Sequence, residues 1–227
     1  MNGDDALSIH SHGIRIERNF VSSAVLEAIH NEVSSCGTEY NRYGIRNAEK
    51  KFASINALVR SERFINKAKS ILGGVPDVVR VIFFDKTADK NWLVTWHQDK
   101  TIAVNAKADI AGWGPWSIKD GDHHVQPDLS VLSNMITLRL HLDDAGVENG
   151  CLQVIPQSHQ LGVLSQEHIQ QICREKCAYT CDVKAGDLVI MKPLILHCSS
   201  KSIHPGHRRV VHVEYSNFVL PEGLSWA

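Results

Sequence analysis

The tetrapeptide Trp96-His97-Gln98-Asp99 sets an imidazole and a carboxylate two residues apart. It lies downstream of Val78–Phe84, a run of Val, Ile and Phe with one Arg that reads as a buried strand. On an extended segment, residues i and i+2 face the same side, so His97 and Asp99 can grip one ion together. Two imidazole nitrogens and one carboxylate oxygen on one face of a metal form the donor set of non-haem Fe(II) sites. The chain must then supply a second histidine from elsewhere, and it holds thirteen. His10, His12 and His30 lie in the front of the chain and read as surface or satisfied core residues. His123-His124 is a tandem pair whose rings diverge if extended, and His159 follows a turn and could act as a brace. His197 stands apart because it ends the apolar run Leu194-Ile195-Leu196, read as the tip of a strand entered through the turn Ala185-Gly186-Asp187. A polar ring at the buried end of an apolar strand needs a partner, and a metal would be one.

Beyond His197 the chain adds an anion-binding set. Ser199 lies on the same side of an extended segment, and Arg208-Arg209 open the strand Val210–Tyr215. An arginine at a strand start can aim its planar fork inward at a carboxylate. Strand alternation lets only one of the pair point in; spacing alone also permits both to face solvent at a sheet edge.

These residues need elements to hold them. A short alternation, Ile14-Arg15-Ile16, reads as an opening strand. Ser22-Ser23 precede Val25, Leu26, Ile29 and Val33, with Gly37 beyond, which predicts an amphipathic helix with a cap and a stop. The same grammar recurs with Ser61 as cap, Phe64, Ile65, Ala68, Ile71 and Leu72 on one stripe, then Gly73-Gly74. Between them Tyr40–Lys51, with Arg42, Tyr43 and Arg46, reads as a polar loop or as a rim of the site. From Val75 on, short apolar runs alternate with turns: Val78–Phe84, Trp92–Trp96, Met135–Leu142, Leu152–Ile155, Asp187–Met191 and Val210–Val219. Helices first and many short strands after predict a mainly β (α+β) fold, a jelly-roll or cupin-like double sheet with N-terminal helices outside. The reading is one domain over 1–227: a helical front (1–77), a β core (78–219) and a lid (100–133). The lid carries Gly112-Trp113-Gly114-Pro115-Trp116 and Lys119, and two tryptophans argue that it is ordered.

Composition narrows the partners. The 227 residues are 43% hydrophobic and 22% charged with a formal net charge of -1, and no basic run exceeds a doublet. Nucleic acid and anionic membranes are therefore not expected partners. No window reaches the ~20 apolar residues of a spanning helix, and the acidic start Met-Asn-Gly-Asp-Asp is unlike a signal peptide. A soluble cytoplasmic protein is the expectation. Cys173, Cys177 and Cys181 recur every four residues, which on a helix would make a metal face. Tyr179-Thr180 reads as a strand start that breaks it, so all six cysteines, with Cys36, Cys151 and Cys198, are expected as reduced thiols.

In their order, His97, Asp99, His197, Ser199 and Arg208 resemble the phytanoyl-CoA dioxygenase family of Fe(II)/2-oxoglutarate-dependent oxygenases. The segment Asn149-Gly150-Cys151-Leu152-Gln153-Val154-Ile155-Pro156-Gln157-Ser158-His159 is similar to the family's N-G-x-L-x-V-x-P-G-S-H stretch, with Gln157 replacing the usual Gly, so a different turn is expected there. The resemblance runs from about Val78 to Tyr215 and implies a double-stranded β-helix. It implies that His97, Asp99 and His197 hold Fe(II), and that 2-oxoglutarate and dioxygen take the three open positions. Arg208, favoured over Arg209 by its spacing from His197, would pair with the far carboxylate, helped by Ser199, with Arg139 lining the same pocket. The implied reaction turns 2-oxoglutarate into succinate and CO2 while a substrate is hydroxylated. Asp99 argues against the halogenase branch, which lacks this carboxylate. For the substrate, Trp113, Trp116, Lys119 and Arg46 suggest an amphiphilic, anion-tolerant pocket, and the absence of a basic cluster for a CoA tail favours a small carboxylate-bearing metabolite. The alternatives are a cupin-like metalloenzyme, an isomerase or hydrolase using Zn or Mn without 2-oxoglutarate, and a non-catalytic binding protein that retains the pocket.

Overall fold

A computed structural model describes residues 7–35, 44–203 and 206–227. Gly37, Cys36, Arg42, Tyr43 and the acidic N-terminal residues lie outside the described residues. The front of the chain runs β1 (Ile14–Glu17), α1 (Ser23–Ser35), β2 (Gly44–Arg46), α2 (Ala48–Lys51), α3 (Ala53–Val59) and α4 (Glu62–Leu72). The middle holds β3 (Asp77–Lys86), β4 (Val94–His97), β5 (Ile102–Val104), β6 (Trp116–Lys119), β7 (Asp122–Val125), α5 (Leu129–Ser133) and β8 (Met135–His141). The rest is β9 (Leu152–Ile155), α6 (Gln166–Glu175), β10 (Tyr179–Thr180), β11 (Leu188–Met191), β12 (Leu196–Ser199) and β13 (Arg208–Ser216).

Among the described residues all strand pairs are antiparallel, and they build the expected double-stranded β-helix. The large sheet has the order β1-β11-β8-β13-β3-β2 and the small one β10-β9-β12-β4. The helices cover the outer face of the large sheet. There Val81, Phe83, Leu138, Leu140, Val211, Val213 and Tyr215 meet Ile29, Phe52, Ile55 and Phe64 in one buried cluster. Tyr215 ties the layers together, its hydroxyl donating to the carbonyl of Val59 at 2.6 Å. α4 forms as its sequence predicts: the Ser61 side chain accepts from the Phe64 N–H, and Gly73 closes the helix at φ 78. Burying Phe64 contributes roughly 1.5–3 kcal/mol.

The inner face of the large sheet is different, because polar and charged residues stand among the apolar ones there. Arg80 and Lys86 on β3, Thr137, Arg139 and His141 on β8, and Arg208, His212 and Glu214 on β13 all point into the space between the sheets. One end of that space is apolar, filled by Ile14, Ile16, Val189, Met191, Leu152 and Val154. The other end is left open as a cavity.

Several expectations need correction. The opening strand read at Ile14–Ile16 is β1, one edge of the large sheet, but the helical front also holds β2, its other edge. Residues 44–51 of the polar loop form β2 and α2. The lid is a third, three-stranded sheet, β5-β7-β6, followed by α5. His197 does not sit at the tip of the Asp187 strand: β11 ends at Met191, Lys192–Leu194 turn the chain, and His197 belongs to β12 in the other sheet. α6 carries Cys173, Cys177 lies past its end and is exposed, and Cys181 is buried, so the three share no face. The five described cysteines are free thiols.

Candidate active site

β4 and β12 lie side by side in the small sheet with His97 directly opposite His197. Their ring centroids are 4.1 Å apart. Each Nδ1 faces the carbonyl two residues back along the chain, Thr95 at 2.8 Å and Ile195 at 2.9 Å. A carbonyl only accepts, so each Nδ1 carries the proton and each Nε2 lone pair is free. Both free nitrogens face Asp99, at 3.8 Å from His97 and 3.5 Å from His197. One ligand atom from each of the three residues falls within 4.8 Å of the others, a spacing that could hold one metal ion.

The alternation read in the sequence positions this set. Gln98 turns away and is buried, donating to the carbonyls of Gly162 and Leu194 and accepting from the Leu164 N–H. The Asp99 N–H donates to the Pro193 carbonyl at 2.9 Å, which fixes the turn after β4. Burial holds the His197 imidazole down to about 4, so it is a neutral donor near pH 7. Burial alone would raise the Asp99 carboxyl, but His197, His212, His97 and Arg80 outweigh it and keep Asp99 ionised.

The cavity beside these residues has a volume of about 360 Å³. Among the described residues, Arg46, Arg80, Lys100, Lys119, Arg139 and Arg208 line it, against one lining carboxylate, Asp99. Of the two tandem arginines, Arg208 turns inward and is 4% exposed. Its Nη2 reaches Ser199 Oγ at 3.3 Å, while Nε and Nη1 are buried without a hydrogen-bond partner. Arg209 turns outward into a bidentate pair with Asp143, both contacts 2.8 Å. An inward fork with free donors at the end of a cavity fits an anion such as a carboxylate. Beside it lies Lys86, 1% exposed, which donates to Ser199 Oγ at 3.0 Å and to the Ser200 carbonyl. Burial and then the Arg208 charge pull Lys86 down to about 8.

Behind Asp99 runs a buried polar chain. Arg139 Nη1 donates to His212 Nδ1 at 2.8 Å, and His212 Nε2 donates to Glu214 Oε1 at 3.1 Å. Glu214 also pairs with Arg80. Asp99, His212 and Glu214 have the spacing of a second ligand group, but both His212 nitrogens are already engaged, Nδ1 by Arg139 and Nε2 by Glu214.

The motif around Asn149 also acquires a structural role. Gly150 adopts φ +69, and a Cβ there would lie 2.2 Å from the Ser200 carbonyl oxygen. Its own carbonyl accepts from Ser199 Oγ at 2.7 Å. Ser158 donates to the Ile155 carbonyl and accepts from the Leu196 N–H, joining the end of β9 to the strand of His197. Gln157 takes φ 70, ψ -10. The left-handed conformation that glycine adopts freely is thus present despite the substitution.

Other expected residues lie elsewhere. Lys119 and Arg46 line the cavity, but Trp113 and Trp116 do not. They pack against Ile102, Val104, Val125 and Leu194, anchoring the third sheet to the body. His124 is buried beside Arg80, His123 meets the Trp116 ring, and His159 packs under Gly13. Lys86, Arg80, His212 and Glu214 escaped the sequence reading, though charged residues at alternate positions of otherwise apolar strands could have marked them.

The comparison that decides the family is a match of the phytanoyl-CoA dioxygenase (PhyH) model to residues 9–210. The chain belongs to that family. It is an enzyme of the iron- and 2-oxoglutarate-dependent oxygenases, with Fe(II), 2-oxoglutarate and dioxygen as cofactors. No curated protein matches the sequence. Among solved structures, AviO1 from Streptomyces viridochromogenes Tue57 aligns with a TM-score of 0.70 at 18% identity, covering 94% of this chain and 93% of that one. SnoK, an alpha-ketoglutarate-dependent carbocyclase from nogalamycin biosynthesis, gives 0.70 at 16% identity with coverages of 94% and 85%. EctD from S. alaskensis, with 2-oxoglutarate and 5-hydroxyectoine, gives 0.71 at 16% identity with coverages of 95% and 76%. These PhyH-fold relatives share the architecture. Among the described residues, no helix is long and apolar enough to cross a membrane.

Proposed function

We propose that this oxygenase hydroxylates a small anionic, carboxylate-bearing metabolite, with His97, Asp99 and His197 as the iron ligands and Arg208 as the clamp for 2-oxoglutarate. The observation that carries the reading is the buried Arg208 fork, free at Nε and Nη1, at the end of the cavity that the triad borders. The bound iron and cosubstrate supply oxidising power as 2-oxoglutarate passes to succinate and CO2.

The protein's own residues bind and orient. The Thr95 and Ile195 carbonyls fix both imidazoles with Nε2 toward the ion. Lys86 and Ser199 brace the far carboxylate of 2-oxoglutarate next to Arg208, and Arg139 faces the same cavity. The basic lining, including Arg46 and Lys119, favours an anionic substrate. SnoK is named a carbocyclase, so hydroxylation is one of the outcomes this site chemistry serves.

The test is anaerobic titration of Fe(II) and 2-oxoglutarate into the protein, following the visible metal-to-ligand charge-transfer band. The band should develop with one iron and one cosubstrate per chain and be lost in Asp99→Ala and His197→Ala. Its absence in the unaltered protein, or its survival in both variants, would refute the assignment.

A further inference from the structure

We infer that the substrate carries at least two negative charges, held as a dianionic oxyanion group between Arg46 and Lys119. This rests on the function proposed above and adds the charge class of the substrate and its place in the cavity.

The basic side chains at the cavity form two poles. Arg208 makes one, with Lys86 behind it on the same Ser199 hydroxyl. Arg80, six residues before Lys86 on β3, belongs to the other, roughly 20 Å away along the strand. Arg46 joins that second pole from β2, where it pairs opposite Ile82, and Lys119 joins it from the end of β6. The second pole is held together by the fold. The β6–β7 hairpin is latched onto the end of β2 by Asn47 Nδ2, which donates to Asp122 Oδ2 at 2.6 Å, and by Asp120 beside Arg46.

Beyond the hairpin's own Asp120 and Asp122, counter-charge there is short. Glu214 is engaged by Arg80. Among the described residues, the one ion pair made by Arg46, Lys119 or Arg139 is Arg46 to Asp120 at 3.5 Å, longer than a charge-assisted bond of about 2.7–2.9 Å. Arg46 Nε is buried without a hydrogen-bond partner. Burial, and then the charges of Arg46 and Arg80, hold the Lys119 ammonium below its ordinary range. Asp99 and the two carboxylates of 2-oxoglutarate would offset the iron and Arg208, leaving this pole positive. A single carboxylate answers one cation; a group with two charges and three oxygens can bridge Arg46 and Lys119 together. A phosphoryl group meets that requirement, and so does a pair of neighbouring carboxylates on the substrate.

The test is calorimetric titration of inorganic phosphate, malonate and acetate into the protein loaded with Ni(II) and saturating 2-oxoglutarate. Phosphate or malonate should bind at least tenfold more tightly than acetate, and whichever wins names the group. Arg46→Gln and Lys119→Gln should each weaken that binding by about tenfold, while Arg46→Lys and Lys119→Arg retain most of it. Affinity for 2-oxoglutarate, measured in the same variants, confirms that they fold. Equal binding of acetate, no binding of any of the three, or unchanged binding in both Gln variants overturns the inference. So does competition by excess 2-oxoglutarate, which would put the anion at Arg208. If 2-oxoglutarate fails to bind the metal-loaded protein at all, the proposed function itself falls.

Discussion

Replacing Arg208 with methionine keeps most of the apolar stem and removes a guanidinium buried to 4% exposure. In the unliganded protein that guanidinium is an electrostatic burden. Burial, and then Arg139, bring it down to about 10, and it depresses Lys86 in turn. Its terminal nitrogens have one protein contact, to Ser199 Oγ at 3.3 Å. A carboxylate in the fork would take two charge-assisted hydrogen bonds, each worth about 1.5–3 kcal/mol. At the lower limit the pair contributes about 3 kcal/mol, or roughly a hundredfold in affinity. Arg208→Met should therefore weaken 2-oxoglutarate binding about a hundredfold in the anaerobic charge-transfer titration, while thermal unfolding of the unliganded protein occurs no lower than before. Arg209→Met should do the opposite. It breaks the pair with Asp143 and costs about 1 kcal/mol of stability, with cosubstrate affinity unchanged within twofold. Binding within threefold of normal in Arg208→Met, or a loss of equal size in Arg209→Met, would refute the reasoning.

Four further outcomes are expected. A Lys86 that holds the cosubstrate only when protonated gives full affinity below pH 8 and up to a tenfold loss per pH unit above it, since its group sits at about 8; Lys86→Met should flatten the titrated profile. The same group lies below its unfolded value of about 10.4, so its contribution to stability should rise from pH 8 toward that value, as denaturant unfolding at several pH values would show. Gly150→Ala places a Cβ against the Ser200 carbonyl at positive φ, which should cost about 1–3 kcal/mol in unfolding free energy and weaken 2-oxoglutarate binding by displacing the carbonyl that Ser199 bonds. Tyr215→Phe leaves the Val59 carbonyl unmet between the helices and the large sheet, a loss of about 1–3 kcal/mol measurable by thermal or urea unfolding with the charge-transfer band intact.

Much of the framework was legible because it is local. Ser61 and Gly73 mark the ends of α4 by the hydrogen bonds a helix terminus lacks, and the alternation of His97, Gln98 and Asp99 follows from the period of a strand. The order of histidines, serine and arginine carried the family, and with it the iron and cosubstrate. Charges inside β3 and β13 were harder to interpret. Arg80, Lys86, His212 and Glu214 interrupt apolar strands, yet their partners lie on other strands, so spacing along the chain could not show Lys86 beside Ser199 or Glu214 beneath Asp99. The tryptophans misled because an aromatic in a long connection is equally suited to lining a pocket and to anchoring a sheet. Trp113 and Trp116 anchor.

Donor types, their spacing and the class of fold follow from the chain alone, since these depend on residue chemistry and on the periods of helix and strand. Which atoms face one another is a matter of packing. The fold placed His97 opposite His197 across two strands far apart in the chain, proton-fixed both rings through Thr95 and Ile195, and turned Arg208 inward and Arg209 outward. Those outcomes depend on strand register and on the bulge between His197 and Ser199, which are set by the packing of two sheets against each other and have no local signature in the chain.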